Sequence, residues 1–245
     1  MHIAKYPRHA IGHLLEHYER TAKNNGNEDI DHSRTELNYN LAPTGQTQME
    51  RIKKRLSEVR VHNRKDVNII CDCILTTPKD LPLGQEREFF QHAYDFLSRR
   101  YGAENVVSCY VHCDEGNGLQ NGPRENSQHF HFCWVPVVPD KRSPGAFKLS
   151  AKECVDKKDL KTLHQDLQNY LNEKGIECSV LTGGTKAKGN RTITELKNET
   201  LKDETRQLTR EFNELATEFN ELANATTELK EFIRQKRIDR ERGER

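Results

Sequence analysis

Residues 128–138 have the sequence QHFHFCWVPVV, in which polar and aromatic side chains alternate over the first half. Alternation with a period of two favours a β-strand, because successive side chains of a strand point to opposite faces. His129 and His131 would then share one face, while Phe130 and its aromatic neighbours pack on the other. The pattern therefore places two imidazoles where both can reach one ion.

A third imidazole is available a short distance upstream. His112 precedes Cys113-Asp114-Glu115 at the end of another strand-like run. Three neutral imidazoles that leave a coordination position open are typical of a metal site that takes part in a reaction, since a closed structural site has no position for a substrate oxygen. The sequence thus predicts a metal site formed by His112, His129 and His131.

Three segments are rich in β-branched, aromatic and cysteine residues, which favour strands: 67–76, 105–113 and 128–138. Between the first two, residues 84–101 place apolar side chains at helical spacing, and Gly102 follows as a stop signal. We expect these strands to form the centre of one sheet, with the helix crossing between neighbouring strands.

A second amphipathic helix is predicted over about 150–174, with Ser150 as its N-cap and Gly175 at its end. Its buried stripe would consist of Leu160, Leu163, Leu167 and Leu171. The predicted fold class is α+β, with helices on one face of a sheet.

The C-terminal region has a different pattern. Leucines recur every seven residues at 201, 208, 215, 222 and 229, and the other seam position holds Thr205, Phe212, Phe219, Thr226 and Ile233. Such heptads predict a coiled coil, most simply a homodimer through 201–233, although one amphipathic helix folded back on the body is the alternative. The predicted organisation is a body over 1–185, a basic glycine-rich hinge over 186–193 and a coiled-coil helix over 194–245.

Composition restricts the partners. The 39 basic and 38 acidic side chains nearly cancel, so a DNA-binding surface has to be a local patch. The seven cysteines include no CxxC pair and follow no secretory signal, which predicts reduced thiols, five of them packed in strands. Since no apolar window reaches the roughly 18 residues of a membrane span, we expect a cytoplasmic bacterial protein.

Several short segments occur together in a recognisable order: HYER at 17–20, DID at 29–31, LNYNL at 37–41, VHCDE at 111–115 and HFH at 129–131. With Phe89-Phe90 and Arg100-Tyr101-Gly102, this order resembles plasmid mobilisation and recombination proteins of the Mob/Pre type, which are relaxases of the HUH endonuclease superfamily. The resemblance covers roughly residues 10–185. Two features depart from the family pattern. Residues 116–128 form a polar insertion before the histidine pair, with Gln128 where a proline is expected, and the N-terminus is short, so the first strand has to come from residues 1–7.

The resemblance implies a five-stranded antiparallel sheet, a divalent metal, Mn²⁺ or Mg²⁺, on three histidines, and nicking of one DNA strand at a transfer origin. Imidazoles would also bind Zn²⁺ or Ni²⁺ in vitro. The resemblance further implies a histidine nucleophile, here matched by His17, that becomes linked to the 5′ end of the cleaved DNA strand. Arg20, one helical turn later, would steady the pentavalent charge. Tyr18 is the rival nucleophile, since adjacent helical residues point about 100° apart and only one can face the metal.

Other residues are candidates for supporting roles. Glu115 and Asp31 can orient an imidazole or accept a proton. Asn38 and Tyr39 can hold the DNA backbone or stack on a base, or else form a buried strand pair.

Basic residues predicted to contact DNA are Lys53, Lys54 and Arg55 in one run and Lys186, Lys188 and Arg191 in the hinge, although such runs are commonly a solvated helix face. The expected partner is single-stranded or supercoiled DNA at a transfer origin, with relaxosome or coupling proteins as further partners. Two alternative functions remain open at this point: a rolling-circle replication initiator with a tyrosine nucleophile, and a DNA-binding accessory protein that does not nick.

Overall fold

A computed structural model describes residues 1–22, 27, 29–115, 128–181 and 193–243. The chain divides into two compact units, Met1–Thr182 and Gly183–Arg245. The strands are β1 (His2–Pro7), β2 (Tyr39–Asn40), β3 (Asn68–Thr76), β4 (Val106–His112), β5 (His129–Trp134), β6 (Val137–Pro139) and β7 (Phe147–Leu149). The helices are α1 (Ile11–Glu19), α2 (Gln48–Ser57), α3 (Glu86–Tyr101), α4 (Ala151–Cys154), α5 (Lys157–Glu173) and α6 (Ile193–Gly243).

Five of these strands form one antiparallel sheet in the order β1-β3-β5-β4-β2, which confirms the expected α+β class and strand number. The expectation that α3 connects neighbouring strands was wrong, because β5 lies between β3 and β4. Both β3 and β4 pair antiparallel with β5, so they run parallel to each other, and a parallel pair requires a crossover connection such as α3.

The register of β5 positions its histidines. His129 lies opposite His112 of β4 and Thr76 of β3, while His131 lies opposite Tyr110 and Ile74. Directly paired residues of an antiparallel sheet point to the same face. The side chains of His112, His129 and His131 therefore emerge together from the middle of the sheet.

Helices cover both faces of the sheet, so the prediction of helices on one face was wrong. On one side, which we call the α3 face, Phe130, Phe132 and Trp134 pack with apolar residues of α3 and α5. On the other side, the α1 face, Cys133 and Val135 pack with residues of α1 and α2, among them Ile11, Leu15, Tyr18 and Ile52. The polar composition of α2 hides its one buried apolar position, Ile52, from a periodicity argument.

The predicted helix over 150–174 is divided into two. Ser150 caps α4 as expected, but Val155 leaves the helical conformation and Asp156 caps a new helix by accepting a hydrogen bond from the Asp159 backbone N–H. Leu160 lies in the first turn of this new helix and is 46% exposed, whereas the leucines at 163, 167 and 171 are buried as predicted.

The predicted strand over 128–138 is also divided. β5 ends at Trp134, and the residues after Pro136 form β6, which pairs with β7 in a separate two-stranded sheet. Pro136 has no N–H to donate to a strand ladder, which explains why the central strand cannot continue through it.

All seven cysteines are free thiols, as predicted. Of the five expected in strands, Cys71, Cys73, Cys109 and Cys133 lie in strands and Cys113 directly follows β4; all five are buried. In α6, the seam residues from Leu201 to Ile233 that are large and apolar are all exposed, each by more than half of its surface. Within the described residues, the hydropathy of no helix reaches what a membrane-crossing segment requires.

Candidate active site

Four histidine rings meet on the α1 face of the sheet. His112, His129 and His131 are carried by β4 and β5, and His17 comes from the last turn of α1, which packs over them. Each of the three strand rings lies 5.1–5.3 Å from the other two, between centroids. The ring of His17 lies 5.0 Å from that of His131 and 5.3 Å from that of His112. The structure thus brings the predicted metal ligands and the predicted nucleophile into one cluster.

The atoms that could bind a metal fall into two sets, each with all its ligand atoms within 4.8 Å of one another. One set is His17, His112 and His131, and the other is His112, Glu115 and His129. His112 belongs to both, so it lies at the centre of the cluster. The Nε2 atoms of His17 and His131 are 3.3 Å apart.

Burial keeps these rings neutral. It lowers the pKa of His17 to about 4, that of His131 to about 3 and that of His112 to about 2, and the charge of Arg20 lowers each further. A metal-binding imidazole has to be neutral, because protonation occupies the lone pair that the metal needs. The cluster therefore presents metal-binding nitrogens at neutral pH.

His112 offers an unpartnered lone pair to a metal. Its Nε2 lies 3.0 Å from the backbone carbonyl oxygen of Tyr18, which can only accept, so Nε2 must carry the hydrogen. The other nitrogen, Nδ1, then holds a lone pair; it is buried and has no hydrogen-bond partner within the described part of the chain. Since a buried acceptor without a partner is costly, this atom fits a bound cation.

Arg20 is the centre of a buried network beside the cluster, with only 1% of its side chain exposed. Its Nε and Nη2 donate to the carboxylate of Asp114, and Nη2 also donates to Glu115 Oε2 at 2.8 Å. Its Nη1 lies 3.2 Å from Nδ1 of His17 and 3.4 Å from the His17 carbonyl oxygen. These contacts engage all five guanidinium N–H groups, so Arg20 is placed to orient His17.

The backbone of Arg20 is unusual. Arg20 directly follows the last residue of α1 and has a φ of 55°, which lies in the left-handed region. At the end of a helix, this conformation is usually adopted by glycine. A non-glycine residue in such a conformation costs on the order of 1–3 kcal/mol, and it persists only where the surroundings hold it. Here the ion pair with Asp114 holds the side chain, which explains how arginine is kept at this position.

Asp114 joins three segments. Besides Arg20, it accepts hydrogen bonds from Thr35 Oγ1 at 2.9 Å and from Asn38 Nδ2 at 2.8 Å. Burial alone would raise the pKa of Asp114, but these bonds outweigh it and lower the pKa to about 2. A fully buried carboxylate with this many donors stays ionised and pairs stably with Arg20.

Glu115 lies between Arg20 and the histidines. Its Oε1 accepts from Asn27 Nδ2 at 2.7 Å, and its Oε2 is 3.7 Å from Nε2 of His129. Burial would raise the pKa of Glu115, but the charge of His129 and the hydrogen bond from Arg20 lower it. The carboxylate is therefore an ionised acceptor at the rim of the cluster.

His17 and Tyr18, the two candidate nucleophiles, differ in exposure. The imidazole of His17 is partly exposed, whereas Tyr18 is fully buried, and its hydroxyl has no hydrogen-bond partner among the described residues. Burial raises the pKa of the Tyr18 hydroxyl well above its usual value of 10. A phenol that neither ionises nor meets solvent is a poor nucleophile, so the geometry favours His17.

The remaining sequence-predicted residues lie outside the cluster. Asp31 is exposed, and its carboxylate accepts from Ser33 at the start of the 3₁₀ turn His32–Leu37. The amide of Asn38 is engaged by Asp114 and by the Cys113 backbone N–H, to which it offers Oδ1. The ring of Tyr39 is partly buried beneath Arg87, whose guanidinium lies 4.6 Å from the ring centroid.

In the basic run of α2, Lys53 and Lys54 are exposed. Arg55 instead donates to Asn105 and pairs with Glu58. The predicted contacts Lys186, Lys188 and Arg191, and the insertion over 116–127, lie outside the described residues.

Two buried carboxylates near the cluster were missed as site residues. Neither Asp114 nor Asp72 was predicted to take part in the site, although Asp72 Oδ2 lies 3.0 Å from Nδ1 of His131. A signal for Asp72 was present in the sequence, because it is the one charged residue in the largely apolar run VNIICDCILT. A lone charge in a central strand costs several kcal/mol unless it has a partner, and is therefore informative.

Comparison with known proteins gives consistent results. Residues 1–200 match the family model Mob_Pre, described as plasmid recombination enzyme. Similar proteins include a plasmid recombination enzyme of Bacillus thuringiensis, 29% identical over 193 residues, and a type 1 enzyme of Staphylococcus aureus, 34% identical over 176 residues. The matches cover 76% and 67% of this chain but only 40% and 39% of those proteins, so the chain spans less than half of their length.

Solved structures of one relative share the fold. A Mn-bound crystal structure of the MobM relaxase domain (MOBV; Mob_Pre) with plasmid pMV158 oriT DNA is 29% identical, with a TM-score of 0.65 over 81% of this chain and 96% of that one. A second MobM structure, with 26-nucleotide oriT DNA, is 25% identical with a TM-score of 0.54, over 80% and 97% of the two chains. The family match over most of the chain, together with this shared fold, shows that the chain belongs to the Mob_Pre family of plasmid recombination enzymes.

Proposed function

We propose that this chain is a relaxase that nicks one strand of DNA at a plasmid or mobile-element transfer origin and stays covalently attached to the 5′ end through His17. The observation that carries the proposal is the position of the His17 imidazole. It is partly exposed, held by Arg20 through Nδ1, and lies 3.3 Å from His131 within a cluster suited to a cation. The relative MobM, whose relaxase domain was crystallised with oriT DNA, supports the choice of substrate.

The cluster would hold a divalent metal, for which Mn²⁺ is the first choice because MobM was crystallised with Mn bound. His112, His129 and His131 would be its ligands, because their three rings lie 5.1–5.3 Å apart on one face of the sheet. When bound, such a cation polarises the scissile phosphate and offsets the charge that develops on its oxygens. His17 would not bind the metal, because it is the proposed nucleophile that attacks phosphorus.

The protein's own groups supply the nucleophile and the proton acceptor. Arg20 can only donate, so Nδ1 of His17 holds a lone pair toward it and Nε2 carries the hydrogen. The carboxylate of Glu115, whose charge acts on the His17 ring, first takes this hydrogen, because a ring nitrogen that carries hydrogen has no lone pair to give to phosphorus. The Nε2–P bond then forms. The P–O3′ bond breaks, and the leaving 3′ oxygen takes up the proton, which leaves a phosphoramidate on His17.

Arg20 has a positioning role in this scheme. The sequence suggested that it would steady the pentavalent phosphorus, but its five N–H groups already have protein partners. Orientation of a nucleophile is itself a large contribution, since a displacement of about 1 Å can cost about 100-fold in rate.

For DNA contact we propose Lys53 and Lys54, which are exposed on α2. Arg55 and Asn38 have structural partners and would act indirectly, by holding α2 and Asp114 in place. Tyr39 remains a candidate platform for a base, with Arg87 beside it.

The direct test is cleavage of supercoiled plasmid that carries the non-coding DNA next to the gene, followed by primer extension to map the nick. With Mn²⁺ we expect a single nicked strand at one position, and no nick in EDTA or with His17→Ala. Tyr18→Phe is the matched control and should nick normally. Cleavage that is unaffected by EDTA, or that survives His17→Ala, would overturn the proposal; metal and DNA binding without any nick would indicate an accessory protein.

For the whole chain we propose a catalytic body over 1–185, a hinge over 186–193 and a homodimer through 201–233 of the C-terminal helix. The heptad seam supports the dimer, because its leucines and phenylalanines are exposed in the single chain. Sedimentation equilibrium should give a dimer, and Leu215→Glu should give a monomer. The solvent-facing Asn220→Glu is the control, and a wild-type monomer at tens of micromolar would contradict the dimer.

A further inference from the structure

Asp72 lies in the middle of β3 and is fully buried. Its neighbours in the register are Ala4 of β1 and Cys133 of β5, so no charged residue is paired with it across the sheet. Removing a carboxylate from water costs several kcal/mol unless a partner compensates. The position therefore calls for a specific interaction on the α1 face, toward which Asp72 points because Cys71 and Cys73 occupy the α3 face.

That interaction is with His131. Asp72 Oδ2 lies 3.0 Å from Nδ1 of His131, whose side chain is 7% exposed. An ionised carboxylate can only accept, so the hydrogen lies on Nδ1, and a neutral imidazole with Nδ1–H keeps its lone pair on Nε2. Burial raises the pKa of Asp72 to about 7, so the ionised acceptor is the main form above neutral pH. The Nε2 atom is the one that faces the cluster, 3.3 Å from Nε2 of His17.

The hydrogen-bond partners of His17 and those of His131 predict compatible positions for the ring hydrogens. At one end Arg20 donates to His17 Nδ1, which leaves the hydrogen of His17 on Nε2, directed at His131. At the other end Asp72 accepts from His131 Nδ1, which leaves His131 Nε2 as the acceptor. A hydrogen on His131 Nε2 would place two hydrogens between the rings of His17 and His131.

Tyr18 encloses the carboxylate. Its ring centroid is 4.9 Å from that of His131, and its hydroxyl and Asp72 Oδ1 are both buried without a hydrogen-bond partner in the described segments. In such a water-poor site, the hydrogen bond from His131 to Asp72 is stronger than it would be at a surface. This gives Tyr18 a role beside His17 that does not involve attack on DNA.

We propose that Asp72 is the positioning carboxylate of the histidine cluster, which accepts Nδ1–H of His131 and thereby keeps the Nε2 lone pair of that ring directed at the cation. The effect of Asp72 on metal binding rests on the proposed metal-dependent function, whereas the hydrogen bond between Asp72 and His131 does not. Carboxylates that orient a metal-binding histidine in this way typically change metal affinity by 10–100-fold when they are removed.

The first test needs no variant. A long-range ¹H–¹⁵N spectrum of the metal-free full chain at pH 7.5 reports which nitrogen of each histidine carries hydrogen, and His131→Gln identifies the signals of that ring. We expect the Nδ1–H form for His131. An Nε2–H form would overturn the proposal.

The second test measures Mn²⁺ binding by electron paramagnetic resonance of the free ion. Asp72→Asn should weaken binding by about 10–100-fold. Asp140→Asn is the matched control, because Asp140 is also buried but pairs with Arg60 beside β6, and it should bind as the wild type does. Binding by Asp72→Asn within twofold of this control would overturn the role of Asp72. If the wild-type chain binds no Mn²⁺, the metal-dependent function fails, and the spectrum of His131 still decides the inference.

Discussion

Both faces of the five-stranded sheet are covered by helices, but the two faces differ in chemistry. On the α3 face, phenylalanine, tryptophan and cysteine pack against α3 and α5 without a buried charge from the strands. On the α1 face, the same strands carry Asp72, His112 and His131, all buried, and α1 covers them with His17. Alternation along each strand therefore separates a core that stabilises the fold from a core that holds reactive groups.

A small sheet can bury groups that are costly to desolvate on one face if its other face supplies the stability. A buried histidine cluster and an Arg20–Asp114 ion pair add little net stability, because desolvation offsets their attraction. The α3 face, by contrast, buries large side chains such as Trp134 and Phe132 completely. We expect substitutions on the α3 face to change stability without changing the site, and substitutions on the α1 face to change the site first.

The largest effect is expected for Asp114→Ala on the α1 side. The substitution leaves Arg20 buried without its main partner, which typically costs about 3–5 kcal/mol, and releases His17 from its support. Urea unfolding measures the loss of stability, and the nicking assay should show no product. If the variant does not fold, Asp114→Asn keeps the shape and two of the hydrogen-bonding positions, and should still lower nicking more than 10-fold. Normal nicking by a folded Asp114 variant would show that the network does not position the nucleophile.

Leu163 and Leu160 of α5 provide a matched pair on the α3 side. Leu163 is 1% exposed and Leu160 is 46% exposed. Leu163→Ala should cost about 3 kcal/mol through lost burial and the cavity left behind, whereas Leu160→Ala should cost less than about 1 kcal/mol. Both variants should keep the Mn²⁺ affinity of the wild type. A change of affinity in Leu163→Ala beyond about threefold would mean that the two faces are not independent.

Arg20→Lys tests orientation more finely. Lysine keeps the charge but lacks the planar fork that engages Asp114, Glu115 and His17 together. We expect a loss of about 100-fold in nicking rate with Mn²⁺ affinity nearly unchanged. If the nicking rate and the Mn²⁺ affinity fall together, Arg20 supports the metal ligands rather than the nucleophile.

The smallest effect is expected at the exposed lysines of α2. Lys53→Ala and Lys54→Ala should each weaken binding to single-stranded DNA and lower the slope of log K against log salt by about 0.7 per lost phosphate contact. Lys158→Ala, at an exposed position of α5, controls for the same change in overall charge. A slope that is identical in all variants would place the DNA on another surface.

The central strands and α3 were predictable because each has a continuous local pattern. The same holds for the histidine pair, since alternation along one strand is sufficient to put His129 and His131 on one face. The two-sided packing was not predictable, because α2 is polar apart from Ile52 and two other positions. The strand order also escaped prediction, since β5 enters between β3 and β4 from a distance along the chain.

The partners of the site residues required the three-dimensional structure. Asp72 and His131 are 59 residues apart, and Arg20 and Asp114 are 94 apart. No local pattern specifies which carboxylate meets which ring. The sequence suggested Glu115 and Asp31 as groups that orient an imidazole or accept a proton. Glu115 lies 3.7 Å from Nε2 of His129, whereas Asp31 caps a 3₁₀ turn and Asp72 is the carboxylate beside His131.

The most direct test of the account is to locate the covalent bond to DNA. The chain is incubated with Mn²⁺ and labelled single-stranded oligonucleotides that tile the non-coding DNA next to the gene, digested with protease, and the nucleotide-bearing peptide is sequenced by mass spectrometry. The account predicts a link on His17 that is stable in alkali and lost in mild acid, as expected of a phosphoramidate. An acid-stable link on Tyr18 would contradict it.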